Sequence, residues 1–350
     1  MLPVTWPVTF TNYSFFFILV KPRPTIRDVA RLAGVSHQTV SRVINQREGV
    51  MAETQERVEA AILELGYRPS AIARSMARGR THMLACISPN LTDYTFANII
   101  EGAEYEARQH GFVLLSSSAE DAESFRALAD ELIGNRRVDG LMVINPYADR
   151  RFESAPANFP MVYVCAVARE ARISSVCLDD EHVAYEATKH LLDLGHRCIA
   201  MVTGPMNEDC SRDRSVGYRR ALEEAGLVYD PRLVVVGDWS ASSGQSGFEN
   251  FIKQGLRPTA IFAQNDRMAL GILRAARDLG LDVPKQLAVI GVDDMPLSSY
   301  FDPPLTTMRQ DMVQIGREAA RLLVRATTEP HSSPQHLFLP GQLIVRSSTA

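Results

Sequence analysis

The chain has 350 residues, of which 46% are hydrophobic and 22% are charged. This composition is typical of a globular protein with two or three domains and excludes a mostly disordered chain. The formal net charge of -4 argues against a nucleic-acid binder, but the charge is unevenly distributed. Residues 21–80 carry eleven basic and six acidic side chains, a net charge of +5, and the remainder carries -9. Such a division is expected when only the smaller, basic part meets a polyanion.

Residues 1–20 contain no charged side chain and end in an apolar run. Prolines and polar residues interrupt this stretch, and it lacks the basic residues before the run and the small residues after it that mark a signal peptide. We interpret residues 1–20 as a non-native or disordered extension, with translation beginning at Val20, rather than as an export or membrane segment.

The five cysteines are widely spaced and form no Cys-x-x-Cys pair, and the eight histidines form no metal-ligand pattern. This usage is typical of reduced thiols in a cytosolic protein and excludes a disulfide framework. We therefore expect a cytoplasmic protein with no metal site and no cofactor.

Residues 25–44 predict two short helices joined by a tight turn. Thr25 and Asp28 have the spacing of a capping box, and Gly34 suits a turn with positive φ. Ser36 can cap the second helix. The predicted inner faces consist of Val29, Leu32 and Ala33 in the first helix and Val40, Val43 and Ile44 in the second. This arrangement is a helix-turn-helix.

A third helix is predicted from about Glu53 to Gly66, which ends it. Its inner stripe consists of Val58, Ala61, Ile62 and Leu65. Met51 stands where this helix needs a cap, and a thioether cannot accept the free amide hydrogens.

The continuous sequence of residues 25–45, TIRDVARLAGVSHQTVSRVIN, strongly resembles the DNA-binding head of the LacI/GalR family of transcription regulators. The resemblance continues through residues 66–70 and on to the C-terminus. It implies that His37, Gln38 and Arg42 read base edges in the major groove, where Gln can pair with adenine. The remaining implied DNA contacts in the head, which fix the backbone, are Thr25, Ser36, Thr39, Ser41 and Asn45.

The resemblance also covers residues 69–80, which match the family's hinge helix. It implies that Ser70, Ala73 and Met76 lie at the minor groove of the operator. Met76 stands where the family usually has a leucine wedge, and methionine is long and apolar enough to enter a base step. We take residues 21–68 as the DNA-binding domain, 69–80 as the hinge and 81–350 as the core.

The core shows apolar runs that alternate with amphipathic stretches. This alternation predicts parallel β-sheets covered by helices on both faces, and the length suits two such lobes. The predicted strands are 83–87, 112–115, 141–144, 161–164, 198–203, 233–236, 260–263 and 288–292. The resemblance implies a two-lobe periplasmic-binding-protein-like core of doubly wound parallel sheets. Lobe one would comprise about 82–178 and 310–339, and lobe two about 179–309 and 340–350.

Ligands bind beyond the carboxyl ends of parallel strands, so two facing lobes make a cleft. A carboxylate, a guanidinium and a flat aromatic ring suit a polyol. The residues that the resemblance assigns to an effector are Tyr94, Phe96, Arg214, Trp239, Asn265, Asp293 and Gln310. Cys165 occupies a position that is often Asp or Asn in sugar-binding members, which removes a common hexose contact.

The sequence thus predicts a homodimeric repressor whose affinity for a pseudo-palindromic operator is controlled by a small molecule, most simply a sugar. The alternatives are a nucleobase-responsive regulator and a solute-binding protein of a transport system, which would share the two-lobe core. The acidic runs at Asp179–Glu181 and Asp293–Asp294 come with no catalytic motif, so we expect no enzyme activity.

Overall fold

The computed structural model describes residues 24–45, 49–68, 80–154 and 159–350. These residues form two compact units that divide between Gly79 and Arg80. The predicted hinge residues Ser70, Ala73 and Met76 lie outside the described residues. Within the described ranges, no helix combines the length and the hydrophobicity that a membrane span requires.

The first unit contains α1 (Ile26–Ala33), α2 (His37–Ile44) and α3 (Ala52–Leu65). The predicted capping box is present at the start of α1, where the Asp28 carboxylate accepts from the Thr25 amide at 2.9 Å and from its hydroxyl at 2.7 Å. Ser36 caps α2 by accepting from the Thr39 amide at 3.1 Å. One buried side chain from each helix, Val29, Val40 and Val58, meets in the core. The helix-turn-helix head is therefore confirmed.

One residue of the predicted inner face of α1 was placed wrongly. Leu32 is 45% exposed, whereas Ala30 is buried. The buried stripe is centred on Val29, Ala30 and Ala33, with Ile26 packed against it. Because each residue of a helix advances by about 100°, Leu32 lies beyond the edge of that stripe.

The start of α3 offers a stabilising substitution. Met51 occupies the N-cap position with extended backbone, is 76% exposed and makes no side-chain capping hydrogen bond. We expect Met51→Ser to stabilise α3 by about 1 kcal/mol, because the hydroxyl can accept a free amide of the first turn. Hydrogen exchange of the α3 amides in the full chain measures this gain. Met51→Ala is the control, and equal protection in both variants would contradict the capping argument.

The second unit contains two six-stranded sheets. The first has the order β11-β5-β4-β3-β1-β2, with every pairing parallel. Its strands are β1 (Met83–Ser88), β2 (Val113–Ser118), β3 (Gly140–Ile144), β4 (Met161–Val164), β5 (Ser174–Leu178) and β11 (His336–Leu339).

The second sheet has the order β12-β10-β9-β8-β6-β7. Its strands are β6 (Ile199–Thr203), β7 (Val234–Val236), β8 (Ala260–Ala263), β9 (Ala288–Asp293), β10 (Thr306–Arg309) and β12 (Gln342–Ile344). All pairings are parallel except that β12 runs antiparallel to β10. The sequence predicted eight of the twelve described strands and missed β5, β10, β11 and β12.

Helices cover both faces of each sheet, so both sheets are doubly wound. Around the first sheet lie α4 (Tyr94–Gln109), α5 (Ala122–Gly134) and α10 (Met312–Thr328). Around the second lie α6 (Asp180–Asp193), α7 (Asp209–Glu224), α8 (Ala241–Lys253) and α9 (Asp266–Asp278). We call these layers lobe one and lobe two. The chain passes between them after β5, after β10 and after β11.

The closest helix packing in lobe one joins α4 to α10. A Cβ atom on Gly316 would lie 1.9 Å from the carbonyl oxygen of Ile99, and one on Gly102 would lie 2.0 Å from that of Val313. The backbones of α4 and α10 can therefore approach this closely only because glycine, which has no side chain, occupies both contact positions.

Candidate functional site: the recognition helix and the inter-lobe cleft

The outer surface of α2 presents His37, Gln38 and Arg42, which are exposed. His37 and Gln38 begin the helix, Arg42 lies in its last turn, and Val40 on the same helix is buried. All three side chains are therefore free to meet an external partner, as base-reading residues must be.

The other predicted DNA-contacting residues of the head make local hydrogen bonds. Thr25 is bonded to Asp28, and the Ser36 and Thr39 hydroxyls lie 3.0 Å apart. The Asn45 side-chain amide donates to the Ser41 carbonyl oxygen at 2.7 Å. These bonds fix the ends of α1 and α2.

A cleft lies between the carboxyl ends of the two sheets. Six of the seven predicted effector residues line it, namely Phe96, Arg214, Trp239, Asn265, Asp293 and Gln310. Tyr94, the first residue of α4, is not among the lining residues, although its neighbours Asp93, Thr95 and Phe96 are. A cleft between two lobes, at the carboxyl ends of parallel strands, is the usual place of a small-molecule site.

Arg214 is fixed by a buried ion pair with Asp180. Its Nε lies 2.7 Å from Asp180 Oδ1, and its Nη1 donates to the Gln264 carbonyl oxygen. Burial raises the pKa of Asp180, and the Arg214 charge opposes that rise. The guanidinium is therefore held rigidly at the cleft wall before any ligand arrives.

Asp293 ends β9 inside the cleft, in a backbone conformation with φ of 123°. Its Oδ1 accepts from Gln310 Nε2 at 2.7 Å, so these two predicted residues are joined. Burial and the nearby Asp266 carboxylate raise the pKa of Asp293 well above its ordinary value. Burial also raises the pKa of Asp266 to about 6, although Ser298 and other donors oppose it.

Trp239 forms one wall of the cleft and is held at both ends. Its Nε1 donates to Glu208 Oε1 at 3.0 Å, and its carbonyl oxygen accepts from Asn265 Nδ2 at 3.0 Å. Asn265 Oδ1 accepts from the Met268 amide and so caps α9. Asn265 thus orients the aromatic wall as well as lining the cleft.

Hydrogen bonds between the lobes hold the cleft shut. Asn145 of lobe one donates to Glu208 Oε2 at 3.0 Å, and Asp93 of lobe one pairs with Arg267. Near the mouth, Arg169 Nη2 lies 2.9 Å from Asp209 Oδ1. The structure therefore represents a closed arrangement, in which opening the cleft must break these polar contacts.

Sequence reasoning missed most of the lobe-one wall. Lining residues that it did not assign to the effector are Asp93, Thr95, Asn145, Cys165, Leu178, Asp180, Glu208, Cys210, Arg267, Met312 and Ile315. Asn145, Cys165 and Asp180 follow β3, β4 and β5 within two residues, so a systematic survey of strand ends would have found them. Burial raises the pKa of the Cys165 and Cys210 thiols well above their ordinary value, which leaves two protonated, weakly hydrogen-bonding groups in the wall.

Comparison with known proteins agrees with both units. The family model for bacterial regulatory proteins of the lacI family matches residues 25–70, and the model for the periplasmic binding protein-like domain matches residues 188–349. The chain is 35% identical over 329 residues to catabolite control protein A of Priestia megaterium, covering 93% of this chain and 99% of that protein. The chain belongs to the lacI family of bacterial regulatory proteins.

Solved structures of lacI-family members share this fold. The Lac repressor dimer bound to operator and the anti-inducer ONPF has a TM-score of 0.83 and 30% identity, covering 94% of this chain and 99% of that one. The complex of the transcriptional regulator CelR with cellobiose has a TM-score of 0.73 and 34% identity, covering 93% and 100%. The predicted fold, a helical head followed by a two-lobe α/β core, is confirmed.

Proposed function

We propose that this lacI-family protein is a transcriptional repressor whose affinity for operator DNA is controlled by a small molecule bound in the inter-lobe cleft. The observation that carries the proposal is that one chain contains two such sites. Its helix-turn-helix exposes His37, Gln38 and Arg42, and its closed cleft is built around the Asp180–Arg214 pair. One unit has the means to read DNA, and the other has the means to hold a ligand.

The proposed effector is a carbohydrate or a related polyol. The indole of Trp239 can cover the apolar face of a ring, and Arg214 and Asp293 can donate to and accept from hydroxyl groups. The structural relative solved in complex with cellobiose supports this class. A nucleobase would use the same aromatic wall, so nucleobases belong in the same ligand screen.

The proposed active species is a homodimer on a pseudo-palindromic operator, as in the Lac repressor dimer that this chain resembles. Each head would place α2 in a major groove, because two-fold symmetric sites match two-fold symmetric proteins. The effector would control transcription only to the extent that it binds the open and closed arrangements of the lobes with different affinity.

DNA binding tests the proposal directly. We expect the purified chain to bind the promoter region of its own gene, with an affinity that falls linearly with salt concentration on a log–log plot because released counterions drive binding. A chain that binds small molecules in the cleft but no DNA at any salt concentration would instead be a solute-binding protein.

Replacing Gln38 tests whether α2 reads sequence. Gln38→Ala should cost about 1–3 kcal/mol on the native operator and relax the preference at one base pair of each half-site, because a bidentate contact is lost. Binding to a library of operator variants measures both effects. Thr54→Ala in α3 is the control and should leave the preference unchanged. An equal loss of affinity on every sequence would assign Gln38 to positioning rather than to base reading.

A further inference from the structure

The charges that line the inter-lobe cleft are unbalanced. In the described part of the chain, the cationic side chains of the lining are Arg214 and Arg267. Arg214 is paired with Asp180, and Arg267 is paired with Asp93. An anionic ligand would therefore have to compete with a carboxylate for either guanidinium.

Two further carboxyl groups line the cleft, those of Glu208 and Asp293. Neither forms an ion pair with any of the described residues, and their hydrogen-bond donors there are uncharged amide and indole groups together with a thiol. Burial raises the pKa of both carboxyls, and the charge of Arg214, which is itself paired with Asp180, opposes that rise.

Glu208 is placed to receive a ligand group at the aromatic wall. Trp239 Nε1 donates to its Oε1 and Asn145 Nδ2 donates to its Oε2, both at 3.0 Å, so two neutral donors fix the carboxylate from opposite lobes. An ionised carboxylate has about four lone-pair sites, and these donors leave acceptor capacity free.

We propose that the effector carries a protonated amine that binds Glu208 beside Trp239, and that the cleft disfavours phosphorylated and carboxylated ligands. This inference rests on the proposed function, since the occupant of the cleft is the effector. An ammonium group offers three donors and the missing positive charge, whereas a neutral hydroxyl offers only a hydrogen bond. A phosphate would meet Glu208 and Asp293 without a free cation to offset their repulsion.

Matched pairs of ligands, each an amine and its neutral counterpart, test the proposal. The pairs are D-glucosamine with D-glucose, D-galactosamine with D-galactose, and tris(hydroxymethyl)aminomethane with pentaerythritol, and D-glucose 6-phosphate is the anionic probe. Dissociation constants are measured by calorimetry on the full chain at neutral pH in an amine-free buffer. In at least one pair, the amine should bind about tenfold more tightly than its neutral partner, the ratio expected of one charge-assisted contact. The phosphate should bind more weakly than glucose.

Variants of Glu208 test whether this residue causes the preference for amines over their neutral partners. Glu208→Gln should abolish it, whereas Glu208→Asp, which keeps the charge, should retain most of it. Glu223→Gln is the matched control because Glu223 is an exposed residue of α7 outside the cleft lining, and the preference should persist in this variant.

The inference is overturned if no amine binds, if amines bind no better than their neutral partners, if the phosphate binds most tightly, or if Glu208→Gln keeps the preference. Operator binding is measured in parallel. Its absence would count against the proposed function, whereas intact operator binding without amine preference counts against this inference alone.

Discussion

Replacing Arg214 by methionine is expected to lower the free energy of unfolding by about 3–5 kcal/mol, because it leaves the Asp180 carboxylate buried without its cation. Both side chains are almost completely buried, at 6% and 7% exposure. Burial raises the pKa of Asp180 even with Arg214 in place. Denaturant unfolding at neutral pH measures the loss. Effector affinity should fall as well, because Arg214 lines the cleft.

Two controls separate this effect from a general loss of charge. Arg232→Met breaks the solvent-exposed pair between Arg232 and Asp230, so it should cost far less than Arg214→Met. The double variant Arg214→Met with Asp180→Leu should recover at least about 2 kcal/mol of the loss, since no unpaired charge remains buried. If Arg214→Met proved no more harmful than Arg232→Met, the buried pair would not be the reason for the rigidity of this wall.

The second large effect is expected at the contact between α4 and α10. A methyl group on Gly316 would overlap the carbonyl oxygen of Ile99. That oxygen is a backbone atom, and the methyl group is attached directly to the backbone of α10, so neither can rotate away. The helices must therefore separate over the core of lobe one, and we expect Gly316→Ala to cost about 3 kcal/mol. Denaturant unfolding of the full chain measures the change.

Gly134→Ala provides the matched control for this substitution. Gly134 also lies in a helix, α5, but a Cβ atom there meets nothing within 4 Å. The same chemical change should therefore be neutral or stabilising by up to about 1 kcal/mol, the difference in helix propensity between the two residues. Equal effects at the two positions would show that helix propensity, not packing, decides the outcome at Gly316.

Much of the fold was predictable because its elements have local signals in the sequence. The helices of the head have caps and a 3.6-residue period, and eight strands are continuous apolar runs. Those that were missed are short and partly polar, such as Thr306–Arg309 and His336–Leu339. They become strands because a neighbouring strand pairs with them, and a single sequence does not reveal that neighbour.

The residues of the cleft also divide into those with a local signal in the sequence and those without one. Arg214, Trp239 and Asp293 could be assigned because each sits in a recognisable local segment. The partners that set their chemistry are remote in sequence: Glu208 is 31 residues from Trp239, and the Asp93–Arg267 pair spans 174 residues. The Asp93–Arg267 pair forms only when the two lobes face each other, and Glu208 meets Trp239 only when lobe two has folded, so periodicity and spacing carry no signal for these contacts.

The three passages of the chain between the lobes bear on how the protein is made. Lobe one begins at β1, but its helix α10 and its edge strand β11 are synthesised only after every helix and all but one strand of lobe two. Until residue 328, the end of α10, leaves the ribosome, the part of the first sheet that α10 covers lacks that helix, and its apolar side chains are less completely covered. Lobe two, in contrast, lacks only its edge strand β12 by then. The N-terminal lobe therefore receives its last helix only after all the helices of lobe two have been made, and it is the part of the nascent core that most needs protection from aggregation.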